Sequence, residues 1–148
     1  MILHRITSKA HVRDLSGTGA MMYGGRWNPK GIRMLYTSQS LSLAALEVIV
    51  NLSGEKIHNN LYCVELEFPE ELSVKTADKL PKEWSAYPYT KGTTDIGKAF
   101  IQSSELCLKV PSAIIPSEFN YLLNPQHDDF MKVRFLDARP FILDKRLL

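Results

Sequence analysis

Glu47 is the residue that most clearly suggests chemistry. It is the single charged side chain in an otherwise apolar or small-polar run from Leu41 to Leu52. A helix that is apolar nearly all round is expected to be largely buried, and burying a carboxylate is costly unless a cation, several donors or a ligand compensates it. Such a conflict is typical of functional sites. A structural carboxylate that closes an internal ion pair, or that hydrogen-bonds a loop, is the alternative interpretation.

A second candidate is the segment Tyr23-Gly24-Gly25-Arg26-Trp27-Asn28. Its two glycines allow the backbone to approach a ligand closely, and a guanidinium suits a bidentate acceptor such as a phosphate. The segment is neither a P-loop nor a dinucleotide fingerprint, because the glycine spacing of both motifs is missing. Glycine pairs with aromatic neighbours also occur in plain turns, so the segment alone predicts either a ligand loop or a turn.

Histidine and cysteine spacing does not indicate a metal site. The residues concerned are scattered along the chain: His4, His11, His58, His127, Cys63 and Cys107. We therefore predict no metal and two buried, reduced thiols. Ser112 lacks the Gly-x-Ser-x-Gly elbow of serine hydrolases, so we predict a binding or structural hydroxyl.

The elements that must position these residues are strands more often than helices. Periodicity predicts strands at Ile2–Ile6, Arg33–Thr37, Leu61–Phe68, Leu106–Val110, Ala113–Ile115, Met131–Leu136 and Arg139–Leu143. Helices are predicted over Leu41–Leu52, with Ser38 or Ser40 as N-cap and an end near Gly54, and from Thr93 or Thr94 to Ser104. Ser16–Lys30 and Asn120–Asp129 are predicted as loops. This order favours an α+β domain with a mixed, mainly antiparallel sheet and few helices.

Composition predicts one ordinary domain over residues 1–148, with 45% hydrophobic and 23% charged residues. A formal net charge of +2 is too small to predict duplex nucleic acid or an anionic membrane as a partner. The apolar runs fall short of the ~20 residues that cross a bilayer, and the first residues carry no secretory pattern. We therefore expect a cytosolic protein.

Together, these motifs resemble the RES domain, the toxin half of a bacterial toxin–antitoxin pair. The matching residues are Arg26 in Gly-Gly-Arg-Trp-Asn, Tyr36, Glu47 in Ala-Ala-Leu-Glu-Val, Ser112 in Val-Pro-Ser-Ala, and the segment Asn120–Pro125 with His127. The resemblance runs from His4 to about Phe141. Two residues depart from the family pattern: His4 stands where an aromatic is common, and Asp128 where a proline is usual.

The resemblance implies a fold similar to ADP-ribosyltransferases and an enzyme that uses NAD+ as substrate, without a metal. The common step breaks the bond between nicotinamide and ribose, and water, phosphate or a protein side chain accepts the ADP-ribose. A glycohydrolase or phosphorylase is the first expectation, and an ADP-ribosyltransferase acting on a protein is the alternative. The resemblance also implies an Xre-type helix-turn-helix antitoxin as partner, which would supply any DNA binding.

Residue roles follow from the same resemblance. Arg26, Tyr36 and Glu47 would be catalytic, with Glu47 stabilising the oxocarbenium-like ribosyl group. NAD+ would be held by a set that shares two of these residues: Arg5, Tyr23, Arg26, Tyr36 and Ser112. In this set the arginines would contact phosphates, the tyrosine rings would flank nicotinamide and its ribose, and Ser112 would hydrogen-bond the amide or the ribose.

Two hypotheses from other classes stay open at this point. An RNA-cleaving toxin would use His4, Arg5 and His11, because RNA cleavage needs two proton-transfer groups near one phosphate. A non-catalytic module would bind a nucleotide without releasing nicotinamide.

Overall fold

The computed structural model describes residues 1–52 and 60–148. The described residues contain seven strands: β1 (Ile2–Ser8), β2 (Leu35–Ser38), β3 (Leu61–Glu67), β4 (Lys75–Thr76), β5 (Cys107–Pro111), β6 (Phe119–Leu123) and β7 (Arg134–Pro140). They also contain three α-helices: α1 (Thr18–Tyr23), α2 (Leu41–Asn51) and α3 (Lys91–Gln102). Short 3-10 turns lie at Lys9–His11, Asp128–Lys132 and Lys145–Leu147. The α+β prediction is confirmed.

These strands form one mixed sheet of order β4-β5-β6-β2-β1-β3-β7. The short pair β4 and β5 is parallel, and the other neighbouring strands within the described part of the chain are antiparallel. The centre of the sheet therefore combines β6, β2 and β1, which are far apart in sequence.

Each face of the sheet carries its own apolar cluster. Consecutive residues of a strand point to opposite faces, and here Leu122 joins one cluster while Leu123 joins the other. We call the face of Leu122 the site face; it packs Trp27, Met34 and Phe100 against the sheet. The other, here the rear face, carries the remaining cluster: Leu3, Leu35, Val64, Leu66, Phe68, Leu106, Cys107, Leu123 and Val133.

Helix α2 begins where the sequence predicts it. Ser40 is the N-cap, and its side chain accepts a hydrogen bond from the Leu43 amide at 3.1 Å. The predicted end near Gly54 lies outside the described residues. The expectation that this helix is largely buried is wrong, because only Leu43 and Ala44 are fully buried and Val50 is 58% exposed. The helix packs on β1 and β2 along one side.

Two predicted loops contain regular structure. Helix α1 lies inside Ser16–Lys30, because the apolar residues after Gly19 complete a short turn of helix despite the glycines. Strand β6 lies at the start of the predicted loop Asn120–Asp129, where its apolar residues pair with β2 and β5. Both errors come from giving Gly and Asn more weight than the packing of their neighbours.

Three strand predictions also need correction. Ala113–Ile115 is a bend, because the Ser112 hydroxyl accepts from the Ile114 and Ile115 amides at 3.1 and 3.2 Å and so ends the strand. The two predicted C-terminal strands are one strand, β7. A bulge opposite Glu65 and Leu66 interrupts its alternation, which explains the apparent break in the sequence pattern. Strand β4 was not predicted, because its segment is short and polar.

Candidate active site

The carboxylate of Glu47 is held by two side-chain donors. The Ser112 hydroxyl donates to Glu47 Oε1 at 2.9 Å, and the Asn120 amide donates to the same oxygen at 2.6 Å. Ser112 is fully buried and Asn120 is 8% exposed. Glu47 therefore has fixed neutral donors in place of an ion pair: no Lys, Arg or His lies in salt-bridge contact with it among the described residues.

Asn120 is itself oriented by the strand pairing. Ser38 on β2 pairs with Asn120 on β6, and the Ser38 hydroxyl donates to Asn120 Oδ1 at 2.7 Å. Because Asn120 Oδ1 accepts from Ser38, the amide nitrogen of Asn120 is turned toward Glu47. Ser38 and Asn120 were not among the predicted site residues, although Asn120 opens one of the motifs that carry the family resemblance. The sequence signal that could have identified Asn120 is a polar residue directly before an apolar run.

Tyr36 lies on the same face, two residues before Ser38 on β2. Alternation places Tyr36 and Ser38 side by side, about 7 Å apart along the strand. The Tyr36 hydroxyl donates to Asn28 Oδ1 at 2.6 Å and accepts from the Trp27 amide at 3.1 Å. Burial raises the pKa of Tyr36 far above its ordinary value, and the hydrogen bond from the Trp27 amide is the largest effect that opposes the shift. This phenol therefore stays neutral and fixes the turn that carries Arg26.

Gly25 makes this turn possible. A Cβ at this position would lie 2.7 Å from the Tyr36 hydroxyl, so only glycine lets the turn approach the tyrosine so closely. The predicted close approach at the glycine pair is therefore to a side chain of the protein itself.

Arg26 is partly engaged within the protein. Its Nη1 donates to the Trp84 and Ala86 carbonyls, both at 2.8 Å. A guanidinium has five N–H donors, so the three on Nε and Nη2 are not used by these bonds. Arg26 thus ties the segment around residues 84–86 to the turn beside Tyr36.

Tyr23 and Arg5 are not joined to this cluster. Tyr23 ends α1 and is 75% exposed. Arg5 shares the rear face with Leu3, because it lies two residues along β1, and its Nη1 donates to the Asp14 carbonyl at 2.7 Å. Burial lowers the pKa of Arg5, and the Asp14 carboxylate opposes the shift. Of the predicted set, the structure joins Glu47 to Ser112 by a hydrogen bond, and Tyr36 holds the turn that carries Arg26.

The three residues of the RNA-cleavage hypothesis do not converge. His4 and Arg5 are consecutive on β1 and point to opposite faces, and His11 is exposed in the turn after the strand. The described residues contain no group of three or more His, Cys, Asp or Glu side chains placed to hold a metal ion. Cys63 and Cys107 are free and buried, as predicted.

Comparison with known proteins places this chain in a family. The model of the RES domain matches residues 2–144. A "Prs ADP-ribosylating toxin" of Sphingobium sp. is 38% identical over 140 residues, which cover 91% of this chain and 87% of that protein. A "Toxin Res" of Photorhabdus laumondii is 37% identical and covers 100% of this chain and 97% of its own length.

A solved structure shares the fold. The crystal structure of the Mycobacterium tuberculosis MbcT–MbcA toxin–antitoxin complex contains a chain that superposes with a TM-score of 0.78 at 20% identity, over 95% of this chain and 83% of that one. The chain belongs to the RES-domain family of toxins from toxin–antitoxin systems. No helix among the described residues has the length and apolar character to span a membrane.

Proposed function

We propose that this chain cleaves the bond between nicotinamide and ribose in NAD+, with Glu47 as the central catalytic residue. The observation that carries the proposal is the uneven use of the Glu47 carboxylate. Both protein donors bind Oε1, and Oε2 has no hydrogen bond to any described residue. One oxygen is anchored while the other can accept from a ribose hydroxyl.

A carboxylate held in this way suits the charge that develops during the reaction. Breaking the glycosidic bond gives an oxocarbenium-like ribosyl group, and a fixed negative charge stabilises it without reorganisation. The carboxylate needs no rearrangement because Ser112 and Asn120 already fix its orientation. Ser112 acts here as a positioning residue, whereas the family resemblance alone implies that it contacts NAD+ directly.

Arg26 supports the same proposal through its unused donors. The three N–H groups on Nε and Nη2 can bind a pyrophosphate or a phosphate co-substrate by charge-assisted hydrogen bonds. Tyr36 contributes by holding the turn at Gly25 and Asn28, and Tyr23 offers an exposed ring near this turn. Arg5 lies on the rear face, so we leave it outside the proposed site.

One specific observation favours a protein side chain as an acceptor of ADP-ribose. The Sphingobium relative is named for ADP-ribosylation of Prs, which supports transfer of ADP-ribose to a protein side chain as an alternative to hydrolysis or phosphorolysis. All three reactions share the step assigned to Glu47. They differ in the nucleophile that attacks the ribosyl carbon.

We further propose an antitoxin partner that works with the toxin in the cytosol. The solved relative comes from a toxin–antitoxin complex, and the family resemblance suggests an Xre-type helix-turn-helix protein. Co-purification of the tagged chain with the product of its neighbouring gene tests this proposal. Recovery of the chain alone would contradict it.

The reaction is tested by incubating purified protein with NAD+ in phosphate-free buffer and then with added phosphate. Chromatography follows nicotinamide and the ADP-ribose product. Release without phosphate identifies a glycohydrolase, and a phosphate requirement identifies a phosphorylase. Release that requires an added cell extract, with ADP-ribose attached to protein, identifies a transferase. The proposal fails if nicotinamide is released under none of these conditions.

A further inference from the structure

We infer a second ligand site on this protein, an arginine-lined groove that binds a nucleoside diphosphate. The groove has a volume of about 560 Å³ and is lined by Arg13, Asp14, Leu15, Ser16, Arg33, Pro125, Gln126 and Phe130. This volume falls within the roughly 300–1,000 Å³ of small-molecule sites. No residue of the Glu47 site lines it.

The groove lies at the opposite end of the central strands from Glu47. Its residues follow the end of β1, precede β2 and follow the end of β6. Strand β2 is antiparallel to both β1 and β6, so the ends of β1 and β6 and the start of β2 lie at the same end of the sheet. Ser38 and Asn120 pair at the opposite end of β2 and β6. A ligand in the groove is therefore separate from one held at Glu47.

The arginines here are ordered by neutral groups. Arg33 Nη1 donates to the Ser16 carbonyl at 3.2 Å and to Thr18 Oγ1 at 2.8 Å. The Arg13 guanidinium stacks 4.0 Å from the centre of the Phe135 ring. Neither has a carboxylate within salt-bridge distance in the described part of the chain. By contrast, Arg134, Arg139 and Arg146 each pair with Asp or Glu.

Positive charge therefore exceeds negative charge at this end of the strands. Arg13 and Arg33 line the groove, and Arg5 lies behind it on the Asp14 carbonyl. The one carboxylate in the lining, Asp14, already accepts from the Ser16 amide at 3.0 Å and from its hydroxyl. The lining itself holds two arginines and one carboxylate, a formal charge of +1.

The shape and charge together select the ligand. The two guanidinium groups of the lining suit a diphosphate, because planar forks bind phosphate oxygens bidentately. Leu15, Pro125 and Phe130 supply apolar contact for the base and sugar. A nucleic-acid polymer would need a basic track along the surface, and the formal net charge of the chain is only +2.

Isothermal titration with ADP tests the site, with uncharged adenosine as a comparison. We expect ADP to bind and adenosine to bind at least tenfold more weakly. The double variant R13Q/R33Q should weaken ADP binding by about 100-fold, since it removes two charge-assisted contacts. The matched variant R134Q/R146Q removes the same charge from paired, exposed arginines and should change the affinity less than twofold.

Two further measurements keep the test independent of folding and of the Glu47 site. Q126E adds a negative charge at an exposed lining residue that holds neither arginine, and it should weaken ADP several-fold. Both tryptophans, Trp27 and Trp84, stack on each other beside Arg26, so their fluorescence reports ADP at Arg26 and should not saturate together with the heat of ADP binding at the groove.

The inference is overturned by any of four results. These are an unchanged ADP affinity in Q126E and in folded R13Q/R33Q, an equal loss in R134Q/R146Q, a tryptophan signal that saturates with the ADP heat, or a short RNA that binds more tightly than ADP through the same two arginines.

Discussion

Removing the Asn120 side chain tests how Glu47 is positioned. Asn120→Ala deletes the 2.6 Å donor to Glu47 Oε1 and the acceptor for the Ser38 hydroxyl. A hydrogen bond to a charged group contributes about 1.5–3 kcal/mol and a neutral one about 1 kcal/mol. We expect a loss of roughly 2.5–4 kcal/mol in the free energy of unfolding, which for a chain of this size lowers Tm by about 5–15 °C.

The same variant should lower the kcat of NAD+ cleavage by about ten- to a hundredfold with a smaller change in KM. Ser112 still anchors Glu47 Oε1, so the carboxylate is loosened and not lost. Asn51→Ala is the matched control, because Asn51 is exposed and its amide donates to the Glu47 backbone carbonyl at 2.8 Å. An exposed substitution of this kind is expected to stay within about 0.5 kcal/mol. Urea unfolding and steady-state kinetics measure both effects. Equal losses in the two variants, or a stability change below about 1 kcal/mol in Asn120→Ala, would refute the reasoning.

Three more outcomes follow from particular contacts. Gly97→Ala should destabilise the chain by several kcal/mol in urea unfolding, because the added Cβ would overlap the Trp27 carbonyl oxygen; a fully stable variant would contradict this packing. Tyr36→Phe should cost about 1–3 kcal/mol, since it leaves the Trp27 amide and the Asn28 side-chain Oδ1 without their partner; an unchanged urea midpoint would contradict it. Burial raises the pKa of the Cys107 thiol from 9.0 to about 12, so the unfolded chain loses this proton first as pH rises. Unfolding free energy should therefore fall between pH 9 and pH 12 by up to about 1.4 kcal/mol per unit, and less steeply in Cys107→Ala; parallel pH profiles would argue against a buried neutral thiol.

Sequence reasoning identified the site residue that conflicts with its local hydrophobic pattern. Glu47 stands out because a lone carboxylate in an apolar helix needs an explanation, and its hydrogen bonds to Ser112 and Asn120 supply one. Ser40 was predictable as a helix cap from local chemistry alone. The α+β class followed from the order of periodic segments.

Contacts set by strand register were beyond sequence reasoning. Ser38 and Asn120 meet only because β2 and β6 pair in one register, and the two residues lie 82 positions apart. Arg26 reaches carbonyls 58 and 60 residues away, which no local pattern encodes. Arg5 was expected at the site, but the alternation of β1 turns it to the rear face. The sequence shows that consecutive residues of β1 alternate between two faces, but it does not show which face packs on which apolar cluster.

Nicotinamide release from NAD+ by wild-type protein and by Glu47→Gln tests the central claim most directly. Gln keeps an oxygen that can accept from Ser112 and Asn120, so the variant should fold, with a Tm lowered by no more than in Asn120→Ala, while it loses the negative charge. We expect turnover to fall by at least about 100-fold, while Glu70→Gln, an exposed substitution of the same type, retains full turnover. Unchanged nicotinamide release by folded Glu47→Gln would contradict the role assigned to this carboxylate.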